Sequence, residues 1–126
     1  MRKLVLLTTV LLTLTGLALT FEEVIGVSPD WRKWLALLHI WGGMFYLVIF
    51  ALYAWDHISL NRHWLRIPSA VTVTGMLQTV SATVIILSGV VLLLYGNVAW
   101  PTLHAFHYWL TYVLAGSILT HYLSPK

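Results

Sequence analysis

The stretch LHIWGGMFYLVIFALYAWDH, residues 38–57, carries no charge before Asp56 and a histidine near each end, His39 and His57. A helix needs roughly 20 apolar residues to cross a hydrocarbon core of about 30 Å, and this run has that length. In lipid every backbone N–H and C=O needs an internal partner, so a long continuous apolar run reads as an α-helix and not as a barrel strand. The two histidines stand 18 residues apart, five turns at about 3.6 residues per turn. Both imidazoles therefore leave one face of the helix, roughly 27 Å apart along its axis.

Working outward, the rest of the chain has the same character. Of its 126 residues 60% are hydrophobic and only 9% charged, against about 25% in soluble domains. Four spans are predicted at about 4–21, 34–55, 71–95 and 103–122, with Pro29, Pro68, Pro101 and Pro125 between or after them, where helix breakers belong. The expectation is one all-α integral membrane domain, 1–126, a four-helix transmembrane bundle running up-down-up-down. Met1-Arg2-Lys3 followed by leucines also fits a signal peptide, although no small-x-small cleavage site stands out after it. The absence of cysteine excludes disulfides, iron–sulfur clusters, covalent haem attachment and thiolate zinc sites. A formal charge of +3 with cations near segment ends suits membrane topology and points to no nucleic acid partner.

Charge sets an expected orientation. Arg2, Lys3, Arg62, Arg66 and Lys126 fall on one side of the four spans, and only Arg32 and Lys33 on the other, beside Glu22, Glu23 and Asp30. The positive-inside rule then places both termini and the 58–69 loop in the cytoplasm. Trp31, Trp34 and Trp100 mark the outer interface, Trp55 and Trp64 the inner one. Spans two and four run parallel in this arrangement.

A short internal repeat accompanies the parallelism. LTLTGLAL around Gly16 resembles IILSGVVL around Gly89, a hydroxyl residue followed by glycine in mid-span. After each comes an outer loop, then a histidine near the start of the next helix, in LLHIWGG and TLHAFHYW, and a second near its end, His57 or His121. A true duplication predicts pseudo-twofold symmetry along the membrane normal.

Six histidines are many for a membrane chain, because ionisable groups in lipid are costly and usually face a bundle interior or a cavity. His107 and His121 lie 14 residues apart, about 40° short of four turns, so they share a face roughly 21 Å apart. His104 lies about one turn before His107 on much the same face. Two parallel helices with an outer and an inner histidine each suit bis-histidine haem ligation in a bundle core. The outer pair is His39 with His107 or His104, and the inner pair His57 with His121. Gly42 and Gly43, one turn from His39, and Gly16, Gly89 and Gly116 provide notches for a porphyrin edge. Arg32 and Lys33 outside, and Arg62 and Arg66 inside, suit haem propionates.

Plainer readings exist for the individual residues. A glycine in a membrane helix often marks close helix packing alone. His57, His63 and His121 near an interface can snorkel into headgroups. Asp56 adjoins His57 and suits a helix end at the interface better than a proton relay; no other carboxylate lies near the histidines for a zinc or di-iron centre.

LHIWGG, followed after the span by HISLNRHW with its His57-x3-Asn61-x2-Trp64 pattern, resembles the small four-helix membrane cytochrome b domains of prokaryotes. These are similar to the haem-bearing membrane subunits of formate dehydrogenases and nickel–iron hydrogenases, and the His107–His121 pair of span four resembles their haem-carrying helix. The resemblance implies two b-type haems, one being the other possibility, stacked across a prokaryotic cytoplasmic membrane and passing electrons between a quinone and a partner redox subunit. The 18-residue interval of span two departs from the 14-residue interval of span four. Pairing His39 with His104 makes the intervals 18 and 17, so His104 and His107 both stand as outer ligand. The expected role is an electron-transfer subunit rather than a stand-alone enzyme, the alternative being a haem-free accessory subunit that scaffolds a larger respiratory or photosynthetic complex. A transporter is disfavoured, since no span is broken in its middle and no charge sits at a midplane.

Overall fold

A computed structural model describes residues 1–67, 69–96 and 98–123, the side chains of Trp64 and Tyr122 excepted. The expectations placed on Pro68, Pro125 and Lys126, and on the Trp64 ring, lie outside the described residues. All regular structure among the described residues is helical: α1 (Arg2–Thr20), α2 (Glu22–Ile25), α3 (Pro29–Asn61), a 3₁₀ turn (Trp64–Arg66), α4 (Ala70–Tyr95) and α5 (Pro101–Leu123). Of these, α1, α3 and α4 are long and apolar enough to cross a membrane. α5 has the length, 23 residues, but is not among the helices apolar enough to cross.

Local chemistry sets the ends. α2 is a single turn closed by Gly26 at φ 73°, a left-handed C-cap that glycine adopts without steric cost. Ser28 caps α3, its Oγ taking the Trp31 N–H at 3.5 Å, and Pro29 fills the first helical position, where no N–H is needed. Ser69 caps α4 in the same way, accepting from the Thr72 N–H at 3.1 Å, and Gly96 ends that helix at φ 77°. Pro101 opens α5.

α3 is the main departure in the bounds of the elements. The expected span is 34–55, whereas the helix holds 33 residues, roughly 50 Å at 1.5 Å per residue and longer than a hydrocarbon core. Hydropathy reports where lipid contact is favourable. Backbone hydrogen bonding continues past that point at both ends, from the Ser28–Pro29 start through the polar run to Asn61.

The chain divides into two compact units, 1–55 and 56–126. In the first, α1 and the front of α3 form an antiparallel hairpin. Thr15 meets His39, and nearer the start of α1, the Thr9 and Tyr46 hydroxyls are hydrogen-bonded at 3.2 Å. Gly42 admits α1 closely: a Cβ there would stand 3.2 Å from a Leu12 methyl. In the second unit α4 and α5 pair antiparallel, with Ser88 against His107 and Thr74 against His121. Between them the Gln78 amide donates to the Ser117 carbonyl at 3.0 Å.

Burial is inverted relative to a soluble fold. Among the described residues the buried apolar ones are Tyr46, Ile49, Ala82 and Leu114, while Thr8, Thr9, Thr15, Ser81, Ser88 and Ser117 are buried polar ones. Large apolar groups such as Trp41, Leu52, Val80 and Leu87 face outward. Small and hydroxyl residues on the inside with bulky apolar ones outside is the arrangement that lipid favours, because close backbone approach and interhelical hydrogen bonds, not exclusion of water, hold such helices together.

Candidate functional site

Three histidines occupy one recurring setting. The His39 Nδ1 lies 2.9 Å from the Thr15 hydroxyl, His107 Nδ1 2.8 Å from Ser88 Oγ, and His121 Nδ1 3.0 Å from Thr74 Oγ1. In every case the hydroxyl residue is followed by glycine, and the ring lies against that glycine. A Cβ on Gly16 would stand 3.2 Å from His39 Cε1, one on Gly89 3.2 Å from His107 Cε1, and one on Gly75 3.6 Å from His121 Cε1. The glycine lets the ring lie on the neighbouring helix backbone, and the preceding hydroxyl fixes its rotation. We call this arrangement a seat.

The hydrogen-bond network favours one tautomer at each seat. A hydroxyl has one proton to donate. Thr15 gives it to the Leu11 carbonyl at 2.9 Å, Thr74 to Ala70 at 2.7 Å, and Ser88 to Ile85 at 3.0 Å. With the proton on those carbonyls an oxygen lone pair faces the imidazole, and Nδ1–H is the complementary tautomer. Nε2 then holds the ring's lone pair. Fixing one imidazole nitrogen by an outer hydrogen bond, and so defining the other as the donor atom to a metal, is the usual preparation of a ligating histidine.

The remaining expected site residues stand differently. His57 is exposed near the end of α3, and its carbonyl accepts the Asn61 amide at 2.8 Å. His104 is exposed, its backbone N–H bonded to the Trp100 carbonyl at 3.0 Å. None of the eight glycines comes against the rings of His57, His63 or His104. Arg62 and Arg66 line a cavity of about 510 Å³ together with His63. Arg32 is ion-paired with Glu22 at 2.5 Å, and Lys33 lies 3.7 Å from Asp30. Gly43 and Gly116 have nothing within 4 Å of a Cβ position, and Gly42 contacts Leu12 rather than a histidine.

The sequence shows Thr15-Gly16 and Ser88-Gly89 as a repeat but assigns their hydroxyls no partner, and Thr74-Gly75 escapes notice in it. The signal is nonetheless present. Thr74-Gly75 precedes Ser88-Gly89 by the same interval that separates His107 from His121. The spacing of the two rings on α5 is thus matched by the spacing of their seats on α4.

No group of three or more His, Asp or Glu side chains converges as a metal-holding cluster among the described residues. A bis-imidazole haem site draws on two. No family model, curated protein or solved structure matches this chain.

Proposed function

We propose that the chain is a membrane-embedded b-type cytochrome that carries electrons between a quinone and a partner redox subunit. The observation that carries the reading is the seating of His39, His107 and His121, three imidazoles whose Nδ1 is held by a hydroxyl beside a glycine. A structural histidine needs a partner, but three separate hydroxyl–glycine dipeptides serving three rings in one tautomer amount to a repeated device. The donor set suits haem iron, since neutral imidazole nitrogen is its common axial ligand.

In this reading α5 is the fourth span of an up-down-up-down bundle with cytoplasmic termini, in a prokaryotic cytoplasmic membrane. Haem, when bound, supplies one-electron transfer, and the protein's own residues set the conditions for it. Thr15, Thr74 and Ser88 hold the rings in orientation and raise ligand basicity by accepting from Nδ1–H. The outward apolar shell keeps bulk water from the seats, and hydration strongly affects the potential of a buried centre. His39, His107 and His121 each offer an imidazole as axial ligand; Arg62 and Arg66 offer charge to propionates from the loop.

The test is a dithionite-reduced minus oxidised spectrum of the purified, haem-replete protein, with a pyridine haemochromogen assay for haem per chain. A b-type α-band that is lost in part in His39→Ala supports the reading. Haem-free protein with intact helical content sinks it and leaves the scaffold subunit.

A further inference from the structure

The chain turns sharply after α3. The Asn61 amide closes the end of that helix on the His57 carbonyl at 2.8 Å. The Leu65 N–H then reaches back to the Arg62 carbonyl at 3.3 Å as the chain enters the 3₁₀ turn Trp64–Arg66. This turn sets Arg62, His63 and Arg66 around one cavity of about 510 Å³. Ligand pockets run from roughly 300 to 1,000 Å³, so the cavity has room for more than a single small ion.

Charge defines what the cavity can take. Two guanidiniums sharing one lining repel each other and call for an anion between them. Asp56 is the sole Asp or Glu of the unit 56–126, and it forms no ion pair with Arg62 or Arg66. In the other unit, Arg32 and Lys33 are matched by Glu22 and Asp30. Guanidinium engages phosphate or carboxylate oxygens through paired, charge-assisted hydrogen bonds, which makes an oxyanion the fitting ligand.

The surroundings select the kind of oxyanion. α3 and α4 are both long and apolar enough to cross a membrane, and in a membrane the connection between two spans lies at a surface. Leu60, Leu65 and Ile67 are interleaved with the cations along the chain and are exposed. Guanidiniums among exposed apolar side chains suit an amphiphile, whose phosphate takes the charge while its glycerol and acyl ends meet the apolar groups. Free phosphate has no use for the latter.

We propose that the cavity of Arg62, His63 and Arg66 binds the phosphate of an anionic phospholipid headgroup. The proposal does not rest on the cytochrome reading. A haem propionate offers these guanidiniums the same chemistry, and the experiment separates the two.

Native mass spectrometry of the detergent-solubilised full chain is run against dioleoyl phosphatidylglycerol and against zwitterionic dioleoyl phosphatidylcholine, with haem per chain counted in each sample. Phosphatidylglycerol should bind more tightly. Its affinity should fall about five-fold in Arg62→Gln or Arg66→Gln and about 25-fold in the double variant, with helical content by circular dichroism unchanged. The single variants carry the test if the double variant does not accumulate. Lys3→Gln, a cation on α1 outside the cavity, should leave the affinity as it is. An equal fall in Lys3→Gln, equal binding of the two lipids, or arginine variants that bind phosphatidylglycerol like the parent overturns the proposal. Glycerol phosphate that displaces phosphatidylglycerol at equal concentration also overturns it, making the site one for soluble phosphate. Arginine variants that lose haem and keep phosphatidylglycerol overturn it while the cytochrome reading stands. Haem-free protein with an arginine-dependent preference for phosphatidylglycerol upholds it and overturns the cytochrome reading.

Discussion

The two hairpins are built on one plan and executed to different depths. In each, an antiparallel helix pair sets a hydroxyl–glycine dipeptide under a histidine: Thr15-Gly16 under His39 in the first, Ser88-Gly89 under His107 in the second. Both hydroxyls are buried and both glycines leave 3.2 Å to the ring, so these two seats are equally tight. The second hairpin repeats the device further along, at Thr74-Gly75, with a looser fit of 3.6 Å. In the first hairpin the described residues show one seat, at Gly16. That hairpin also uses a Thr9–Tyr46 hydrogen bond further along and the close approach of Gly42 to Leu12.

The comparison is broken most forcefully by filling the tight seats. Gly16→Leu and Gly89→Leu should each lower stability by about 1–3 kcal/mol through overpacking, while Gly43→Leu, with open space at its Cβ, should cost far less. Unfolding by SDS titration in mixed micelles reads the difference, and equal losses at Gly16 and Gly43 would argue against the seat.

Removing the acceptor comes next. Thr15→Val and Ser88→Ala each strand a ring N–H away from water, at about 1–3 kcal/mol if nothing else accepts it. Thr20→Val, whose exposed hydroxyl bonds back to its own helix at Gly16, serves as the control. The same variants should scramble the tautomer. Imidazole ¹⁵N shifts should show three Nδ1-protonated rings in the parent and two in Thr15→Val; three remaining in the variant would contradict the assignment.

A smaller effect separates tight seats from the loose one. Alanine is favoured over glycine inside a helix by roughly 0.5–1 kcal/mol. Gly75→Ala meets ordinary van der Waals contact at 3.6 Å and should realise that gain in a melt followed by circular dichroism. Gly89→Ala, at 3.2 Å, must displace a ring held by Ser88 and should give most of it back. The smallest expected change is Arg32→Gln, which removes a solvent-exposed ion pair to Glu22 worth less than about 1 kcal/mol. Raising salt should erase even that difference.

Much of the fold was legible because lipid imposes simple rules. Apolar runs of spanning length became α1, the middle of α3 and α4, and the serine and proline signals at Ser28–Pro29, Ser69 and Pro101 mark helix starts. The full reach of α3 was not legible, because hydropathy falls at Asp56 while backbone hydrogen bonding continues to Asn61. At the candidate site, the residue types were readable and their company was not. His39, His107 and His121 were singled out by charge in an apolar setting, and so was His57, which has the same face and a comparable sequence context.

By itself the sequence determined the helices long and apolar enough to cross a membrane, the all-helical content and the shortlist of histidines. Each follows from interactions along one helix with one solvent: period, length and the cost of a polar group in lipid. Only the tertiary structure decided which histidines are seated. That depends on which residue of a neighbouring helix lies beneath each ring, and on whether it has a side chain in the way. One-dimensional spacing does not contain that information until a hairpin sets its register. Thr74-Gly75, an ordinary dipeptide in an apolar run, became a seat when α5 folded back and laid His121 upon it.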